Sequence, residues 1–85
     1  SNSKTLKNLD FFQNNPAQQL EVVNKEGYDI RTANIFDMSG KLVYTQKLQS
    51  HSNEQIDLSN MPNGNYIMVL SHDHQMISKT KIIKN

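Results

Sequence analysis

The chain has 85 residues, with nine basic against eight acidic side chains for a formal charge of +1, and it contains no cysteine. A single domain of this length buries only roughly 60% of its unfolded surface, and neither a disulfide nor a thiolate metal site supplements its thin core. Scattered, balanced charge creates no long-range field for nucleic acid or an anionic membrane, and the longest apolar run, Tyr66 to Leu70, falls far short of the roughly 20 residues that span a bilayer.

No basic, apolar signal peptide opens the chain, and Ser1-Asn2 resembles the scar left after a purification tag is removed. Residues 1–8 are therefore expected to be scar and polar linker, and residues 9–85 a domain cut from a longer protein. Leu9 to Phe12 predicts a short strand that ends at Gln13-Asn14-Asn15-Pro16, where Pro16 cannot donate to a ladder and biases Asn15 toward extended geometry. Leu20 and Val22 then alternate with polar residues, and Asn24 to Gly27 reverses the chain. Between Asp29 and Asp37 a strand sets Ala33 and Ile35 against Asn34 and Phe36. In the following Asp37-Met38-Ser39-Gly40, Asp37 can accept backbone amides ahead of it while Gly40 takes a positive φ, a specific turn signal. Lys41 to Leu48 returns as a strand, and a polar stretch leads on to Ile56.

Ile56 to Leu70 is the stretch around which the rest is arranged. Ile56 and Leu58 have the alternation of a short half-buried strand, and Ser59 to Asn65 collects Pro62, Gly64 and three asparagines for a tight reversal. Tyr66, Met68 and Leu70 then oppose Ile67 and Val69; a strand apolar on both faces is normally central or packed on two sides. After a polar turn from Ser71 to Gln75, Met76 to Ile83 forms a last strand whose lysines blunt an exposed edge. About seven strands at spacings of about ten residues, with no helical period, predict an all-β, two-sheet antiparallel sandwich. Its inner faces are expected to include Leu20, Val22, Ile35, Val43, Ile56, Tyr66, Met68, Leu70 and Ile82.

Asn15-Pro16-Ala17 with Leu20 and Val22, Ile35-Phe36-Asp37 with Gly40-Lys41 and Val43, Ile56-Asp57-Leu58 with Met61, Gly64-Asn65-Tyr66, and the ending Thr80-Lys81-Ile82-Ile83-Lys84 come in a recognisable order. In series, from about Phe12 onward, they resemble the C-terminal sorting domain of the type IX (Por) secretion system of Bacteroidetes. One position departs: Asn14 stands where that family usually has a proline. The resemblance implies an immunoglobulin-like sandwich behind an N-terminal cargo domain of the same polypeptide, with the outer-membrane secretion machinery and a sortase-like protease as partners. It also implies passage through the periplasm and outer membrane to the cell surface or outside, with the domain commonly removed in export. No cofactor and no catalysis are expected of this domain.

Candidate sorting-signal residues are Gly64, Tyr66, Lys79, Lys81, Ile82, Ile83 and Lys84; Asn15, Pro16, Asp37, Gly40 and Lys41 form the structural motif. Gly64 and Tyr66 also suit purely structural roles, a positive φ and a core ring with its hydroxyl at the edge. Lys79, Lys81 and Lys84 are expected on a solvated face, either as edge gatekeepers or as features that a receptor reads.

His72 and His74, with only His51 as a distant third, suggest a polar hairpin tip rather than a metal site. Ser71, His72 and Asp73 are neighbours whose side chains should diverge on extended backbone, which rules out a catalytic triad. The alternative function, an accessory carbohydrate-binding or fibronectin-like module of a secreted hydrolase, needs an exposed aromatic platform. This chain lacks tryptophan, and its phenylalanines and tyrosines sit in strand patterns except Tyr28.

Overall fold

The computed structural model describes residues 9–14, 18–49 and 53–85. Asn15, Pro16 and His51 lie outside the described residues. Seven strands follow one another: β1 (Asp10–Asn14), β2 (Gln19–Val23), β3 (Thr32–Asp37), β4 (Leu42–Lys47), β5 (Glu54–Asp57), β6 (Gly64–His72) and β7 (Gln75–Lys84). No helix occurs among the described residues. Every strand pair is antiparallel. The strands make a three-stranded sheet in the order β1-β2-β5 and a four-stranded sheet in the order β4-β3-β6-β7.

The period-two pattern decides which side chains meet between the sheets. Leu20, Val22, Ile35, Ile56, Met68, Leu70 and Ile82 are completely enclosed, with Ala33 and Tyr66 beside them. β6 is apolar on both faces and lies centrally between β3 and β7. Its reversal from β5 is a crossing from one sheet to the other, because β5 pairs with β2 while β6 pairs with β3 and β7.

One expected core residue is not there. Val43 is 38% exposed. The ladder between β3 and β4 pairs Ile35 with Tyr44 and Phe36 with Leu42, so Val43 is the extra residue of a bulge. Tyr44, on the core-facing register, packs against the core instead. Connecting segments also supply core residues: Ile30 and Leu48 flank the strands and are buried. The Arg31 amide donates to the Ser71 carbonyl at 2.8 Å and the Leu48 amide donates to the Arg31 carbonyl at 2.9 Å, which holds both segments against the sheet.

Two turns show how single side chains shape the loops. Asp37 accepts the amides of Ser39 at 2.9 Å and Lys41 at 3.0 Å on one carboxylate oxygen, and Gly40 has φ +91°. Asn24, buried, accepts the Tyr28 amide at 3.0 Å and donates to the Tyr28 carbonyl at 2.8 Å, so its carboxamide substitutes for a strand partner where the chain leaves β2.

Candidate functional site

β7 is a strand because its β-branched and apolar residues alternate with polar ones, and it is the edge of the four-stranded sheet. Lys79 lies opposite Val69 and Lys81 opposite Ile67. The register continues that outer face across the sheet through Phe36 and Asn34 to Leu42 and Thr45. Both lysines are exposed, and among the described residues neither has an ion-pair partner. Ile83, the next residue on this face, is 46% exposed.

Lys84 departs from the sequence expectation of a solvated face. It is only 6% exposed, and its ammonium donates to the carbonyl oxygens of Met61 at 2.5 Å and Ser59 at 3.2 Å. Its parity is that of Thr80 and Ile82, the core-facing side of β7, so the strand carries the side chain inward. There the amine closes the turn before β6, a site where two backbone carbonyls need a donor. Asp57 accepts the Ser59 amide at 2.9 Å on the same turn. Hydrogen bonds from Ser59, helped by the nearby charge of Lys84, hold the Asp57 carboxyl below its ordinary value.

Gly64 and Tyr66 also build this corner. Gly64 has φ +155°, and a Cβ added to it would rest on the Tyr66 ring at ordinary contact distance. Tyr66 is buried, and its hydroxyl donates to the Pro62 carbonyl at 2.5 Å. Ile82 is wholly buried. Of the seven candidate signal residues, Lys79, Lys81 and Ile83 therefore share the exposed outer face, while Tyr66, Ile82 and Lys84 face the interior.

Among the structural-motif residues, Asp37, Gly40 and Lys41 sit together in the turn between β3 and β4. Hydrogen bonds from the Ser39 side chain and the Lys41 amide hold the Asp37 carboxyl below its ordinary value. A contact absent from the sequence reading involves Gln13. Its carboxamide donates to the Ile83 carbonyl at 2.7 Å and accepts the Ile83 amide at 3.5 Å, linking β1 to the edge of β7. No local pattern announces it, since the two residues are far apart in the chain.

At the opposite end of β7 the hairpin tip is Asp73-His74, with Asp73 at φ 53°. That left-handed residue turns its carboxylate back to within 3.5 Å of His72 Nε2, contrary to the expected divergence. Asp29 approaches His72 Nδ1 at 3.2 Å from the other side and also pairs with Arg31. Ser71 is buried on the other face of the strand. No three His, Asp or Glu side chains among the described residues are grouped to hold a metal ion. Phe12 is another departure: the pairing of Phe11 with Val22 turns Phe11 toward the core and leaves Phe12 58% exposed. Tyr28, by contrast, packs against the core. No helix among the described residues is long and apolar enough to cross a membrane.

Two antiparallel sheets, one of them ending in a lysine-bearing edge strand, define an immunoglobulin-like β-sandwich. A solved structure agrees on the fold: a DUF3244 family protein from Bacteroides vulgatus, described as an immunoglobulin-like β-sandwich, superposes with a TM-score of 0.71 at 18% identity, covering 91% of this chain and 83% of that one. A family model described as the secretion system C-terminal sorting domain matches residues 14–85. The chain belongs to that family, the sorting domains of type IX secretion. Comparison with curated proteins gave no match. The sorting-domain family is not a catalytic one.

Proposed function

We propose that this domain is the export signal of a larger cargo joined to its N-terminal side. It directs that cargo through the type IX machinery of the outer membrane to the cell surface or outside, and a sortase-like protease removes it during passage. Residues 1–8 are tag scar and linker. The part that the machinery reads is the outer face of β7, Lys79, Lys81 and Ile83. Gly64, Tyr66, Ile82 and Lys84 hold the strand in place for reading.

One observation carries this reading: in a chain of the sorting family, the edge strand presents two lysines that, among the described residues, pair with no carboxylate. Internal ion pairing would make them structural; without it their charge is available to a partner. Fusing residues 9–85 behind a periplasmic reporter, in a host with the machinery, tests the proposal. The fusion is expected outside the cells, with the sorting domain absent from the released protein by mass spectrometry. Retention of the intact fusion in the periplasm would reject the export role, and export without processing would reject the cleavage step.

A further inference from the structure

Ile83 uses both its amide and its carbonyl on Gln13, not on the neighbouring strand. In an antiparallel pair, residues that bond the neighbour alternate with residues whose backbone faces away. The β6–β7 register runs unbroken from Lys79 to Ile83, so Lys79 and Lys81 have the same outward backbone orientation as Ile83. Neither has a backbone partner on that side among the described residues. Gln13 closes the edge at Ile83 with a planar amide, one donor and one acceptor, the same equipment as a peptide group. Among the described residues the edge is thus sealed at one end and open over Lys79 to Lys81.

We infer that Lys79 to Lys81 is a docking edge for an acidic extended segment of another protein, one with carboxylates at alternate residues, and that Gln13 sets where the added strand ends. This rests on the reading above that β7 is the element recognised. An added strand would satisfy the open amides and carbonyls of both lysine positions. Its residues opposite Lys79 and Lys81 fall on the outer face of the sheet, where opposite charges directly across a ladder attract. That face carries no carboxylate at any strand position: the residues in register with Lys79, Lys81 and Ile83 across β6, β3 and β4 are neutral or basic.

The same charges argue against a second copy as the occupant. Antiparallel pairing of β7 with itself about Thr80 sets Lys79 against Lys81 of the other chain, like charge on like charge. Lysines therefore keep the edge from pairing with its own kind while leaving it open to an acidic strand.

The test is a nuclear magnetic resonance titration of the 85-residue chain with a short, end-capped peptide of alternating glutamate and valine. Its matched control replaces glutamate with lysine. The glutamate peptide is expected to shift and protect the amides of Lys79 and Lys81, and methylating the peptide's backbone nitrogens on its pairing edge should abolish binding. Lys79→Glu with Lys81→Glu should weaken binding at least about tenfold while the thermal transition stays in place. Gln13→Ala should extend protection to Ile83. Equal binding of the lysine peptide, shifts confined to another surface, or indifference to the charge reversal would overturn the docking edge. An Ile83 amide that stays unprotected in the peptide-bound Gln13→Ala variant would overturn the role of Gln13. Peptide binding without reporter export would reject the export role alone; reporter export without peptide binding would reject this inference alone.

Discussion

The Lys84 ammonium donates to the Met61 carbonyl oxygen at 2.5 Å, so the end of β7 is fastened to the turn between β5 and β6. This makes the lysines of the strand unequal. Removing the Lys84 amine leaves the Met61 and Ser59 carbonyls without their donor, a loss of about 1–3 kcal/mol for a buried group. Lys84→Ala should therefore lower stability by about that amount, and Lys84→Glu by more, because it turns an anion toward two carbonyl oxygens. Lys81→Glu, on the exposed face, should change stability by about 0.5 kcal/mol or less. Urea unfolding of the three variants measures the contrast; equal effects would mean that the Lys84 contact does not hold in solution.

Core truncation should separate β6 from β4. Met68 and Leu70 are completely enclosed, so Met68→Ala or Leu70→Ala should cost about 2–5 kcal/mol, a large part of a small domain's stability. Val43→Ala, at the bulge, should cost about 0.5 kcal/mol or less despite the same apolar chemistry. Thermal melts of the three variants provide the comparison, and a large loss at Val43 would mean that the bulge is misplaced.

Gly64 and Gly40 should both resist replacement, for backbone reasons alone. Their φ values are +155° and +91°, and an added Cβ meets only ordinary contacts at Gly64 and nothing at Gly40. Alanine at either site should cost about 1–3 kcal/mol through strain. Substitution of Gly40 by asparagine, which tolerates left-handed backbone better, should recover part of the loss in the same unfolding experiment.

Acid should weaken the fold through Asp37 and Asp57. Hydrogen bonds from Ser39 and the Lys41 amide, and from Ser59, hold these carboxyls below their ordinary value of 3.8 in the folded state. The unfolded chain then binds more protons in this window, so stability rises with pH there. Their contribution is fully present above the ordinary value and is lost as pH falls below it through the depressed folded values. Asp37→Asn and Asp57→Asn keep an acceptor oxygen but cannot titrate, and each should flatten the acid limb of a stability-against-pH curve. An unchanged limb would contradict the assignment.

Much of this fold was legible in the chain because its signals are local. Leu20 with Val22 and Ala33 with Ile35 alternate cleanly, β6 shows two apolar faces, and Asp37 with Gly40 names its turn. Period two places Lys84 beside Ile82; its charge suggested solvent, and parity prevailed because the buried Met61 carbonyl accepts the amine inside. Val43 failed for a different reason: a bulge adds a residue and flips the alternation, and nothing in Leu42-Val43-Tyr44 marks where. Gln13 meets Ile83 only after both sheets have packed. Such contacts belong to tertiary geometry, and a glutamine in a polar run does not signal them.

The most direct measurement is the location of a reporter fused to residues 9–85 carrying Lys79→Glu and Lys81→Glu, compared with the unmodified fusion in the same host. Circular dichroism of the purified variant should show the same β-rich fold and an unshifted transition, since both side chains are exposed and have no ion-pair partner among the described residues. If the outer face of β7 is the sorting determinant, the unmodified fusion leaves the cell and the folded variant stays in the periplasm. Export of both fusions to the same extent would contradict it.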